Sequence, residues 1–404
     1  MGVRGSPMIT VEAYRDRVVA LAAVRALGVD RVPLAEACGR VLAGDLTARF
    51  PVPPFDNSAM DGFAVRAADT VTAPVDLAVV GESAAAGGPI PAVRPGAAVR
   101  VMTGARVPPG ADAVVPVELT DQVAGPVPLP DRVRIDERVE RGRHIRRAAE
   151  DLAAGDLVLG AGALLTPAAV AAAASVGYGE LVVRRRPRVA VVSTGAELVA
   201  PGLALAAGEI PDSNSVMVAA LAAAAGADVV AVRRTGDDAV ALRRMLADLP
   251  PVDVVFTTGG VSAGAYEPLR QLGAGLEFCL VAMQPGKPQA CGLVDGVPLV
   301  AFPGNPVSSF VSFRVFGRPL LDALTGARRS TPPGLATALE DWRSPSGRRQ
   351  YVPVVVESDG VRPSHARGSG SHLVASLHRA EALAVVPEER EAVVVGDRLE
   401  VMGF

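Results

Sequence analysis

Apolar residues recur at helical spacing after Thr10, at Val18, Leu21, Ala22, Val24 and Leu27, so the chain opens with a helix in a section reaching about Phe50. From Pro51 to about Gly142 the texture changes to short β-prone runs, at 77–80, 97–102 and 113–117, between Gly and Pro turns. That section predicts a small β domain. Residues 152–183 return to the first style, which makes the β section an insertion into one N-terminal helical and linker domain. Between 184 and 328 apolar strands alternate with helices: strand 188–192, helix 215–225, strand 228–232, helix 239–248 and strand 252–256. Such alternation predicts a doubly wound parallel sheet covered on both faces. From about Ser330, strands near 351–356 and 382–387 predict a small, barrel-like all-β domain. The expected division is therefore 1–50 plus 143–183, 51–142, 184–328 and 329–404. No internal repeat or low-complexity linker is visible.

Composition changes this picture little. Half of the 404 residues are apolar but only 4 % are aromatic, so the core must be Ala, Val and Leu. A formal charge of −3 argues against broad nucleic-acid or anionic-membrane binding, and any bound anion must be met locally. The apolar run 164–176 carries Pro167 and is too short to span a bilayer, which takes roughly 20 residues. Thr166 as cap and Pro167 at the first position make it an ordinary helix. Three widely spaced cysteines, Cys38, Cys279 and Cys291, suit a reducing compartment, and no signal peptide is read. The expectation is a soluble, cytoplasmic protein. Four histidines, none at metal spacing, argue against a zinc or haem site.

Candidate chemistry collects just after the α/β strands, the side on which open parallel sheets bind ligands. The strand ending near Phe256 runs into Thr257-Thr258-Gly259-Gly260-Val261-Ser262-Ala263-Gly264, where glycines let backbone N–H groups approach an anion and Ser262 adds a hydroxyl. Further on, Phe302-Pro303-Gly304-Asn305-Pro306 turns from strand into helix, and a helix start favours anions. For both loops a plain turn without ligand is the competing reading. Between them lies Gln284-Pro285-Gly286-Lys287-Pro288, with the one lysine among 40 basic residues. A compact ammonium kept in an otherwise all-Arg chain points to a site that needs a point charge; chance survival is the alternative.

Acids are placed around these loops. Asp56-Asn57-Ser58-Ala59-Met60-Asp61-Gly62-Phe63-Ala64 packs two carboxylates among turn formers, and Glu150-Asp151 follows Arg143, Arg146 and Arg147. Glu197 lies beyond the first α/β strand, Asp212 before the next helix and Glu267 after the Gly loop. Singly, Asp212 reads as a helix-start residue, Glu150 as half a surface ion pair and Asp56 as an Asx-turn acid. Together, acids meeting a phosphate loop would suit Mg²⁺.

In sequence order these segments resemble the molybdopterin molybdenumtransferase family, whose eukaryotic relatives include a domain of gephyrin. The resemblance is carried by residues 56–64, Met102-Thr103-Gly104-Ala105, Val114 to Glu118, Gly142 to Asp151 and Ser193-Thr194-Gly195-Ala196-Glu197-Leu198. It continues through Asp212-Ser213-Asn214, the Gly259 loop, Pro285 to Pro288, Phe302 to Ser308 and Gly368-Ser369-Gly370-Ser371-His372. It implies an elongated homodimer whose active site lies between the α/β domain of one subunit and the inserted β domain of the other. It implies molybdate and adenylylated molybdopterin as substrates, Mg²⁺ as cofactor, and AMP as product. The partners it implies are the molybdopterin adenylyltransferase and the molybdoenzyme apoproteins.

Position by position, the resemblance puts catalytic roles on Asp61, Asp151, Glu197, Asp212 and Lys287, with Asp61, Asp212 and Glu267 around the metal. Substrate would be held by Thr103, Arg146, Thr194, Gly195, Gly259, Gly260, Ser262 and Glu267. Pro303, Gly304, Asn305, Pro306, Arg349 and Ser371 complete that set, Arg349 as a holder of molybdate. Two departures stand out. Gln284 occupies a position where many members have Lys, and Glu267 one where many have Asp, next to apolar Ala265. A molybdopterin adenylyltransferase shares the α/β section but lacks the surrounding domains, and a gephyrin-like scaffold would need a linker or partner-binding tail that is not seen.

Overall fold

The computed structural model describes residues 8–84, 88–261, 268–272, 275–329, 333–366 and 370–404. At its centre a six-stranded sheet runs in the order Asp228–Thr235, Arg188–Thr194, Val254–Thr258, Val297–Phe302, Pro288–Val294, Leu276–Leu280. The first four strands are mutually parallel, as the alternating pattern predicts. The last two are antiparallel, an edge addition that short hairpin connections allow.

Side chains alternate across this sheet and build two cores. Val189 and Val191 face one layer with Val218 and Ala222 of helix Ser213–Ala224. Ala190 and Val192 face the other with Leu242 of helix Ala239–Ala247. A period of two along the strand is what sends successive residues to opposite faces. Both faces being covered explains why these strands are apolar throughout.

The opening helix is Val11–Ala20, capped by Thr10, whose Oγ1 accepts from the Ala13 N–H at 3.1 Å. It ends in a tighter turn at Leu21–Val24. The sequence pattern groups this helix with residues 143–183, but it packs instead on the α/β body. Val11, Tyr14 and Val18 enter the larger core, and Tyr14 meets Phe316 edge-on with ring centroids 4.8 Å apart. The rest of the first section does join 143–183: Val29–Pro33 pairs antiparallel with Glu180–Arg184, over a separate core containing Leu42, Leu165 and Ala173 of helix Pro167–Ser175.

The insertion holds a five-stranded sheet in the order Ala113–Pro116, Gly62–Val65, Ala97–Val101, Val75–Ser83, Arg132–Ile135, around Phe63, Val115 and Ile135. In the C-terminal sheet Arg349–Val356, Ala382–Val386, Arg398–Gly403 and Gly334–Thr337 follow one another. Its outer neighbour is Met283–Gln284, which comes from the α/β body and pairs parallel with Arg349 and Gln350. The residues just before the Pro-Gly-Lys-Pro turn therefore belong to one sheet and those just after it to another.

Because Tyr14 is fully buried and bridges the first helix to the α/β body, Tyr14→Ala is expected to lower unfolding free energy by about 3–5 kcal/mol. Urea unfolding followed by fluorescence and circular dichroism measures it. A loss under about 1 kcal/mol would mean that this helix does not hold the body together.

Candidate functional site

Three loops meet at the carboxyl edge of the parallel strands. Thr194 and Gly195 end the first strand, Gly259 and Gly260 follow Val254–Thr258, and Pro303 to Pro306 follow Val297–Phe302. They touch: the Gly259 N–H donates to the Phe302 carbonyl at 3.0 Å. A Cβ on Gly259 would lie 2.6 Å from the Thr194 carbonyl oxygen, at a φ of +88°. Only glycine allows that approach. Ser262 and Glu267, expected further along the loop, lie outside the described residues.

The acids of this edge are held differently. Asp212 is buried and caps helix Ser213–Ala224: one oxygen accepts from the Ser215 N–H at 3.0 Å, the other from the Ser193 hydroxyl at 2.5 Å. The helix-start reading of Asp212 is thus the observed one. Two residues on, the Asn214 amide donates to the Gly304 carbonyl at 2.6 Å and ties this helix to the Pro303–Pro306 loop. Glu197 is exposed and lies over Gly195, where a Cβ would come within 2.7 Å of its carboxylate.

Beyond the loops a cavity of about 950 Å³ opens between the α/β body and the C-terminal domain. One wall is the turn Gln284 to Pro288 with Pro303, Asn305 and Ser308; the other carries Trp342, Arg343, Ser344, Arg348, Ser371 and His372. Lys287 is exposed, with no carboxylate in ion-pair range among the described residues. Its turn is stiff for two reasons. Proline stands on both sides, and buried Gln289 donates to the Gly286 carbonyl at 2.7 Å and to the Ser312 hydroxyl at 2.6 Å. Ser371, from the C-terminal domain, is tied to the α/β side of the cavity by its carbonyl, which accepts from the Val307 N–H at 3.0 Å. Gln284, where a second ammonium was expected to be missing, lines the wall with an amide oxygen that has no partner among the described residues.

Arg349 is not part of this cavity. Its guanidinium pairs with Glu12 and makes a two-pronged contact to Glu388, at 3.1 and 3.3 Å. Burial alone would lower its pKa, but these hydrogen bonds hold it above the ordinary arginine value. Two acids already neutralise it. Arg348 faces the cavity and has no carboxylate partner among the described residues. Sequence reasoning missed Arg348, Arg343, Trp342 and Gln289. The signals available were the adjacent Arg pair, the single tryptophan and a lone amide in an apolar strand.

Asp61 lies elsewhere, on a smaller cleft of about 310 Å³ in the inserted domain with Phe63, Met102 and Val117. Its Oδ1 accepts from both the N–H and the hydroxyl of Thr103, at 2.6 and 2.8 Å, so Thr103 is what orients it. Arg146 is exposed on the strand paired with Asn57, and Asp151 is exposed beside Val52. Asp56 accepts from the Ala148 N–H and from Arg147, and these bonds outweigh burial and hold its carboxyl below the usual range. Glu150 accepts from the Arg147 N–H rather than forming the surface ion pair expected.

The chain is similar to known proteins along most of its length. Family models match three stretches: the MoeA N-terminal region, domains I and II, over residues 9–177; a probable molybdopterin binding domain over 190–323; and the MoeA C-terminal region, domain IV, over 336–404. Molybdopterin molybdenumtransferase 2 of Mycobacterium tuberculosis is 43 % identical over 96 % of this chain and 97 % of its own length. The chain belongs to the molybdopterin molybdenumtransferase family. The Haemophilus influenzae molybdopterin molybdenumtransferase is 34 % identical over 92 % of this chain and 93 % of its own. The crystal structure of the molybdopterin biosynthesis moeA protein from Pyrococcus horikoshii aligns with TM-score 0.84 at 27 % identity, covering 98 % of this chain and 100 % of that one. The fold class read from the hydrophobic pattern is that of these molybdenumtransferase relatives.

Two adjacent arginines should separate in a stability measurement. Arg349→Ala leaves Glu12 and Glu388 facing each other, and is expected to cost on the order of 1–2 kcal/mol in urea unfolding. Arg348→Ala is expected to leave the midpoint within experimental scatter. Equal midpoints for the two variants would mean that the ion pairs at Arg349 carry no stability.

Proposed function

We propose that this chain transfers molybdenum from molybdate to molybdopterin, taking the adenylylated pterin as substrate and releasing AMP. The observation that carries the reading is the cavity between the α/β body and the C-terminal domain. Lys287, Arg343 and Arg348 line it, with Asp341 as the one carboxylate of its wall among the described residues. A chain of net charge −3 has gathered cations at one place, and a small dianion is the ligand such a hollow favours. The ammonium of Lys287 supplies a compact charge, and Arg348 a planar fork from the opposite wall. Ser371 and the free backbone groups of the Pro303–Pro306 loop extend the donor set toward the phosphates of the pterin nucleotide. In this reading Thr194, Gly195, Gly259, Gly260, Gly304 and Asn305 seat the nucleotide at the strand ends.

Among the described residues no group of three or more His, Cys, Asp or Glu side chains could hold Mg²⁺, and Glu267, expected at the metal, lies outside them. Asp212 accepts from Ser193 and Ser215 with its two oxygens. Asp61 and Lys287 line different cavities of the chain. That separation supports a homodimer in which Asp61 of one copy serves the cavity of the other. No helix among the described residues is long and apolar enough to cross a membrane. The substrate requires an adenylyltransferase before this step, and molybdoenzyme apoproteins receive the product.

AMP release from adenylylated molybdopterin, dependent on molybdate, tests the reading; release that ignores molybdate would overturn it. Lys287→Ala and Arg348→Ala are each expected to weaken molybdate use about 30- to 150-fold, the loss of one charge-assisted hydrogen bond of about 2–3 kcal/mol. Lys287→Arg should recover part of it. Unchanged activity at sub-saturating molybdate would exclude both roles.

Asp61→Ala should be folded yet nearly inactive. When Asp61→Ala and Lys287→Ala chains are unfolded together and refolded, half of the dimers carry one of each, with one intact site of two. About a quarter of wild-type activity is then expected. No recovery would show that the two residues act within one chain.

A further inference from the structure

We infer that the cleft beside Asp61 in the inserted domain seats the pterin ring of the substrate, and that the Asp61 carboxylate recognises that ring; the inference rests on the proposed function. Asp61 stands just before the strand Gly62–Val65, and Met102 just after its neighbour Ala97–Val101. Residues Gln122 to Val127 and Pro130 of one loop complete the lining around about 310 Å³. Arg100 holds this loop in place. Its guanidinium donates to the Val127 and Pro128 carbonyls, at 2.8 and 3.2 Å, and to Glu82 at 2.6 Å. The one cation of the lining among the described residues is thereby spent on the protein itself.

What remains at the cleft is apolar surface and a carboxylate. Met102, Val117, Val123 and Val127 supply the apolar part. Asp61 is exposed; Thr103 engages its Oδ1 with two donors, and its Oδ2 accepts no hydrogen bond among the described residues. An ionised carboxylate only accepts, so its ligand must present N–H groups. With Arg100 spent, the cleft disfavours an anion. Small-molecule pockets run from about 300 to 1,000 Å³, so this one takes a ring system and not the whole pterin nucleotide. The pterin bicycle is flat and uncharged, and its 2-amino group and N3–H are adjacent donors on one edge, the pattern a carboxylate pairs with. Adenine, the other ring of the substrate, sets its amino group beside acceptor nitrogens and matches a carboxylate less well. The substrate is thus sorted by charge, its anionic end at Lys287 and its neutral ring at Asp61. In a homodimer, two copies then hold opposite ends of one molecule.

Equilibrium dialysis of the full chain against neopterin, an uncharged pterin without phosphate or dithiolate, tests this, using Asp61→Asn, Val123→Arg and Lys287→Ala beside wild type. Val123 is 69 % exposed, so Val123→Arg is expected to fold; its side chain fills the cleft and offers Asp61 a guanidinium in place of the ring. Asp61→Asn and Val123→Arg are each expected to bind neopterin about ten-fold more weakly. Lys287→Ala, altered in the other cavity, should bind it as wild type does. Wild type that does not bind neopterin overturns the inference, as does unchanged affinity in either cleft variant. An equal loss in Lys287→Ala overturns it too, by moving the ring to the other cavity. Adenosine bound with the same dependence on Asp61 and Val123 overturns the assignment to pterin. Molybdate-dependent AMP release by a wild type that does not bind neopterin sinks this inference alone. Neopterin binding at Asp61 beside AMP release that ignores molybdate sinks the proposed function and leaves the ring site standing.

Discussion

A single stretch of chain belongs to two sheets, and the site depends on it. Met283–Gln284 pairs with Arg349 and Gln350 in the C-terminal sheet, and Pro288–Val294 lies in the α/β sheet four residues later. A β ladder sets register to the residue, since a slip of one would turn every side chain to the wrong face. The intervening Pro-Gly-Lys-Pro turn therefore has both ends fixed, and buried Gln289 pins its middle to Gly286 and Ser312. The distance between the two cavity walls follows from hydrogen-bonded backbone rather than from loop packing.

With the walls fixed, charge can be concentrated at little reorganisation cost. The backbone that carries the cations is placed by Pro285 and Pro288 around Lys287 and by the strand Arg349–Val356 next to Arg348. The carboxylates nearby are engaged elsewhere: Glu12 and Glu388 with Arg349, Asp341 with Val395 and Asp212 with its helix.

The same economy separates neighbours that look alike in sequence. Arg348 and Arg349 are adjacent, yet one lines the cavity and the other joins the first helix to the C-terminal domain through Glu12 and Glu388. Adjacent residues at a strand point to opposite sides, so only one of the pair can face the ligand. Asp56 and Asp61 divide in the same way. Asp56 is tied down by Ala148 and Arg147, while Asp61 is aimed by Thr103 along a cleft rim.

The sequence by itself determined the parallel sheet and the glycine and proline turns at its strand ends. Those are local properties: an apolar strand covered on both faces, a period of 3.6 in a helix, or a glycine where backbone must approach backbone is written within a dozen residues. The turn at Gly259 and the strand-to-helix turn at Pro303–Pro306 were legible for that reason. Only the tertiary structure decided that the first helix packs on the α/β body through Tyr14, that Asp212 spends both oxygens internally, and that Arg348 and not Arg349 reaches the cavity. These outcomes hang on which partner a polar group meets across the fold. Burial makes an unpaired polar group costly, so the pairing is set by distant chain segments that local pattern does not encode.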